Sequence, residues 1–289
     1  MLSPGQGVRD PESQREPLTW PRVVRLTAGY TFTEGPAWST EGFLVFSDVP
    51  ANTIWKLVPG REPEVLEKDS PGACGNGFDG RGRLYTCESR ARRLVRWSAT
   101  GKPEVLADRW QGKRLNAPND VVVRRDGHVY FTDPAFGYQL DQRELDFYGV
   151  FHLTPAGELE LVVASQTRPN GVALSPDGRR LYVSFVEERA VREYALDGRG
   201  RASNERRLIV RLGAPPGGLA VDDRNQIYVA ANDVLVFSED GRMLDQIKIP
   251  ERPSNCAVGG PKRNLLFVTA RTSVYIVPLD QEAAERLVP

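Results

Sequence analysis

The chain has 289 residues, 40% of them hydrophobic, with 38 basic and 38 acidic side chains and no formal net charge. That balance, without a single-sign run, offers no electrostatic footprint for nucleic acid, and no uninterrupted apolar run reaches the roughly 18 to 20 residues that a bilayer crossing needs. The three cysteines, Cys74, Cys87 and Cys256, form no CxxC pair, which speaks against a disulfide framework or a thiolate zinc centre.

Residues 1–22, MLSPGQGVRDPESQREPLTWPR, are polar, rich in Pro and Gly, and lack the apolar core of a secretion signal. They read as a loosely ordered N-terminal arm ahead of one domain over 23–289, in a soluble, cytoplasmic protein with no membrane partner. From there one unit recurs: a small turn, a short apolar strand, a polar turn often containing Asp-Gly, and a second apolar strand. In chain order the copies are EGPAWSTEGFLVFSD from Glu34, NGFDGRGRLYTCE from Asn76, NDVVVRRDGHVYFTD from Asn119, NGVALSPDGRRLYVS from Asn170, GGLAVDDRNQIYVA from Gly217 and NCAVGGPKRNLLFVT from Asn255. Further short strands lie between them, TIWKLV, RLVRWS, GVFHLT, AVREYAL and VLVFSED, and no segment shows a helical period. Four strands per unit, six times, predict an all-β fold, a six-bladed β-propeller. A Greek-key sandwich does not explain so regular a repeat.

The innermost strands of a propeller run along its channel, so the residues that open the repeats are expected to ring one mouth. These are Glu34, Asn76, Asn119, Asn170, Gly217 and Asn255. Asn suits turns for its own reasons, but four at equivalent positions beside a Glu are better explained by ligation. Carboxylate and amide oxygens are hard donors, which points to a central-channel metal site for Ca²⁺ or Mg²⁺ with calcium foremost. Asp48, Glu88 and Asp133 end the second strands and are expected around the ring, each equally readable as a turn residue or half of an ion pair. With only His128, in an Asp-Gly turn, and His152, on an outer strand, a histidine-based triad is not expected.

The segments FTEGPAWSTEGFLVFSDVP, GNGFDGRGRLYTCE, GKRLNAPNDVVV with FTDPAFG, RPNGVALSPDGRRLYVS and PERPSNCAVGG together resemble the gluconolactonase and regucalcin (senescence marker protein) family over about residues 23–280. The resemblance implies one divalent metal on Glu34, Asn119 and Asn170, calcium in the first place and Zn²⁺, Mg²⁺ or Mn²⁺ as alternatives. It also implies that Asn76, Asn116 and Asn255 hold a small polar substrate such as a sugar lactone. In that family an Asp normally opens the fifth repeat as a ligand and favoured base, whereas this chain reads Pro215-Pro216-Gly217-Gly218. The leading expectation is a metal-dependent hydrolase of a sugar lactone or related cyclic ester, with Asp133, Glu88 or Asp120 as candidate base, Asp120 being alternatively a group that orients Asn119. The other expectation is a scaffold repurposed after loss of the Asp, either for binding without turnover or for a lyase or cyclisation step.

Overall fold

A computed structural model describes residues 23–98 and 101–286, so the expected arm at 1–22 lies outside the described residues. Six four-stranded antiparallel sheets form six blades. Blades I to V follow the chain, innermost strand first, and open with Thr33–Ser39, Ala73–Phe78, Val121–Val123, Pro169–Leu174 and Leu219–Val221. Blade VI takes Pro253–Gly259, Leu265–Ala270 and Ser273–Pro278 from one end of the chain and its outermost strand, Val24–Ala28, from the other. That composite sheet closes the ring, with Val24 opposite Ile276, and ties the first blade to the last.

The blades pack face to face through the alternation of their strands. A tyrosine recurs in the second strand of four blades (Tyr85, Tyr130, Tyr182, Tyr228) and is buried each time. Tyr130, Val150, Val172, Leu181, Val183 and Phe185, for example, join blades III and IV. The Asp-containing turns are self-braced: one carboxylate oxygen of Asp79 accepts from the amides of Arg81 and Arg83, and Asp222 does the same for Arg224 and Gln226.

The acidic ends of the second strands turn inward rather than around the mouth. The Asp48 carboxylate accepts from the Thr31 and Phe32 amides at 2.9 and 3.0 Å, and Asp133 from the Asn116 and Ala117 amides at 2.8 Å each. Glu88 accepts from the Ser70 hydroxyl at 2.8 Å and from the Arg93 guanidinium. Each carboxylate thus pins the segment that leads into an innermost strand, which connects sequence position to the placement of the site. Two short helices, a 3₁₀ turn at Gly137–Gln142 and an α-helix at Gln281–Arg286, were not expected from sequence. At six residues each they are too short for a 3.6-residue period to register.

The two histidines sit together on the outer part of blade III. His128 Nδ1 and His152 Nε2 are 2.7 Å apart, and His152 Nδ1 donates to Glu160 at 3.0 Å, so His152 accepts at Nε2 and His128 donates. Burial lowers the pKa of both, with Arg124, Asp126 and Glu160 as the charged neighbours. Folded-state values below the ordinary 6.5 mean that the unfolded chain takes up more protons as pH falls through that value, so this pair's contribution is present above it and lost on acidification. A His128→Gln, His152→Gln variant should therefore lose less melting temperature than the parent between pH 7 and 5; parallel profiles would contradict this.

Candidate functional site at the channel mouth

Two tiers of residues define one end of the channel. Backbone bonds fix equivalent places: the Asn119 amide donates to Thr132 and the Gly217 amide to Ala230, each at 2.8 Å. The mouth tier is Glu34, Cys74, Asn119, Asn170, Gly217 and Ser254, all of which line the mouth cavity. The tier below is Gly35, Gly75, Asp120, Gly171, Gly218 and Asn255, four glycines and two side chains. There the blades approach too closely for more, since a Cβ on Gly218 would stand 1.7 Å from the Asn255 side chain.

The expected ring of six therefore comes apart in two blades. In those blades Cys74 and Ser254 hold the mouth positions instead; register shifts at this point of the innermost strand occur in blades I and IV as well, where Glu34 and Asn170 keep their places. Asn76 falls deeper, its amide donating to Gly35 O, Ser47 Oγ and Cys74 O and accepting from Thr86 Oγ1. The Asn255 side chain accepts from the Cys256 amide at 2.8 Å, and against the larger upward effect of burial its proximity lowers the pKa of both Glu34 and Asp120. Asn76, Asp120 and Asn255 line a separate cavity of about 390 Å³ opening toward the opposite face. Asn116 is buried behind the mouth, its Nδ2 donating to the carbonyls of Asp133 and Phe147, with its Oδ1 unpartnered. Asp133 and Glu88 are fully buried and line neither part of the mouth.

Glu34, Asn119 and Asn170 do come together. Glu34 is buried and accepts from the Gly35 amide at 2.9 Å; burial, then the charge of Asp120, pushes its pKa up to about 7. Asp120 is also pushed up to about 7, by burial, against amide bonds from Val172 and Val121. Asn119 Nδ2 donates to Cys74 Sγ and Asn170 Nδ2 to Pro216 O, each at 3.3 Å. Both amide nitrogens are thus engaged while neither Oδ1 accepts a bond from a described residue. Hydroxyls of neighbouring blades hold the backbone: Thr132 donates to Asn170 O and Ser184 to Gly217 O, each at 2.6 Å.

The cavity has two lobes that share Phe32, Glu34, Phe136 and Asn170. The larger, about 450 Å³, reaches Cys74, Arg90 and Tyr138; the smaller, about 230 Å³, reaches Gly217, Arg252 and Arg271. The arginines and the two phenylalanines carried no periodic signal, although Arg252 stands directly before an innermost strand, on the mouth side.

The family model for the SMP-30/Gluconolactonase/LRE-like region matches residues 32–272, which takes in blades I to V, the two inner strands of blade VI and all the residues that line the mouth. The chain belongs to this family. A gluconolactonase of Zymomonas mobilis is 33% identical over 286 residues, covering 87% of this chain and 80% of its own. A pentonolactonase of Haloferax volcanii is 31% identical over 268 residues, covering 87% and 85%. Among solved structures, a gluconolactonase of Xanthomonas campestris superimposes with a TM-score of 0.84 at 32% identity, covering 90% of each chain.

Within the SMP-30/gluconolactonase framework, the glycine at the blade V mouth position is built into the backbone. A Cβ on Gly217 would stand 2.1 Å from the carbonyl oxygen of Ser254, whose other role is to accept the Gly218 amide at 2.9 Å. Gly217→Asp should therefore not simply install a carboxylate. It is expected to cost about 1–3 kcal/mol by overpacking, read as a lower melting temperature without a gain in turnover. A stable variant with a raised rate would contradict this.

Proposed function

We propose that this chain hydrolyses a sugar lactone or related cyclic ester, with a divalent cation, calcium foremost, held by Glu34, Asn119 and Asn170. The observation that carries the reading is the orientation of the two amides: their nitrogens are taken by protein acceptors, leaving two carbonyl oxygens beside one carboxylate at the mouth. An all-oxygen set of this kind suits hard cations such as Ca²⁺ or Mg²⁺. Among the described residues no group of three or more His, Cys, Asp or Glu offers an alternative centre. When bound, such a cation supplies Lewis acidity to a carbonyl and stabilises its developing negative charge.

The chain's own residues do the rest. Phe32 and Phe136 wall the mouth with apolar surface, which suits the carbon face of a sugar and limits water there. Glu34 is the one carboxylate among the described residues lining the mouth, and Asp120, whose charge helps raise the Glu34 pKa, lies one tier below. With Glu34 assigned to the cation, we assign the proton released by the attacking water to Asp120 below the mouth, since Asp133 and Glu88 are committed to pinning loops. The gluconolactonase and pentonolactonase among the relatives support the substrate class.

Gly217 favours a second reading, a binding site or a lyase or cyclisation step, because the mouth lacks a second carboxylate to take a proton. Hydrolysis of D-glucono-δ-lactone and D-xylono-γ-lactone followed by proton release separates them. Catalysed release supports the hydrolase, whereas ligand binding without release supports the second reading.

A further inference from the structure

The smaller lobe of the mouth is chemically unlike the larger one. It is lined by Arg252 and Arg271, both exposed, and neither forms an ion pair with a described residue. Arg271 instead lies over the Phe32 ring, 5.8 Å from its centroid, in a cation–π contact that holds the guanidinium at the rim. Glu34 is the only acidic residue among the described residues that line the lobe, and the mouth position that belongs to blade V is Gly217, with no side chain at all.

These features act in one direction. Two positive charges with no ion-pair partner among the described residues, in a concave lobe with apolar walls from Val186, Pro215 and Pro216, attract an anion. An acidic side chain at position 217 would have opposed it. Guanidinium groups also match the planar oxygens of carboxylate or phosphate better than ammonium groups do. The lobe shares Glu34 and Asn170 with the rest of the mouth, so a ligand bound at those residues would direct its far end toward the arginines.

We infer that Arg252 and Arg271 form an anion subsite, and that the preferred substrate is a sugar lactone bearing a carboxylate or phosphate remote from its lactone carbonyl. This rests on the mouth being the lactone site. Gly217 is then the form of blade V that leaves room for the anion.

The test has two arms, so that failure of the hydrolase reading can be told from failure of the subsite. In the first, kcat/KM is compared for D-glucono-δ-lactone and 6-phospho-D-glucono-δ-lactone in the parent, in Arg252→Gln, Arg271→Gln and their combination, and in Arg90→Gln from the other lobe. The anionic lactone should be preferred by the parent, and the preference should fall at least about 10-fold in the double variant, with charge-assisted bonds lost. It should persist in Arg90→Gln and weaken with salt. In the second arm D-gluconate, D-glucarate and 6-phospho-D-gluconate are titrated into metal-free protein, which reads the subsite without turnover and shows which anion it favours. Tighter binding of a doubly anionic acid that disappears in the double variant supports the subsite even if no lactone is hydrolysed. Equal binding of the three acids, or a preference that survives the double variant or is lost in Arg90→Gln, overturns it.

Discussion

Glu34→Gln is expected to lower kcat/KM for a lactone by at least about 10²-fold while leaving the propeller folded. At metal sites, changes one step removed from the ligands already cost about 10- to 100-fold, and here the change removes the only carboxylate of the donor set. The fold should tolerate it because Glu34 makes one bond to a backbone amide, from Gly35, which a Gln oxygen can keep. Stability and activity should move apart. The Glu34 carboxyl is pushed up to about 7 by burial and by Asp120, so in the metal-free protein its contribution is present below the ordinary carboxylate range and lost as pH rises through about 7. At pH 8 the metal-free variant should accordingly melt no lower than the metal-free parent, and calcium should raise the melting temperature of the parent far more than that of the variant. Equal calcium stabilisation of both would remove Glu34 from the site.

Asp133→Ala should be the most damaging of the loop-pinning substitutions. It leaves the buried Asn116 and Ala117 amides without acceptors, and each orphaned buried donor costs about 1–3 kcal/mol. A loss of roughly 2–6 kcal/mol corresponds to roughly 3–10 °C in melting temperature for a chain of this size. The damage should reach the site, because the freed segment runs directly into Asn119. Asp133→Asn sheds a carboxyl that burial pushes up to about 7 and keeps an acceptor for one of the two amides while turning its own N–H toward the other, so it should lose less stability than Asp133→Ala and retain more activity. If Asp133→Asn instead abolished turnover in a fully stable protein, Asp133 would be acting on the substrate and not on the loop.

The contrast between Asn119 and Asn76 shows how far the amino-acid pattern reaches. Six copies of a strand, turn and strand are visible because alternation and Asp-Gly turns are local properties, and they lead directly to the blades and to Glu34, Asn119 and Asn170. Whether an Asn at the head of a repeat reaches the mouth depends on its exact position along an innermost strand, and an offset of one or two residues, in strands of which four carry irregularities, changes no composition or period. Asn76 and Asn255 therefore fall below the ring, and Cys74 and Ser254 take their places. Asp48, Glu88 and Asp133 have the same limit: the sequence locates them at strand ends, but only the neighbouring loops show that backbone amides consume their oxygens. The close approach at Gly217, set by Ser254 of the next blade, involves residues 37 positions apart and leaves no local trace.

The most direct measurement is hydrolysis of D-glucono-δ-lactone, followed by proton release, by protein first stripped with a chelator and then resupplied with Ca²⁺, Mg²⁺, Mn²⁺ or Zn²⁺. Turnover that is lost on stripping, restored by at least one of these ions and absent in Glu34→Gln is the expected result. Turnover that survives stripping unchanged, or no turnover with any ion in a protein that is folded, would contradict a cation-dependent lactonase at the channel mouth.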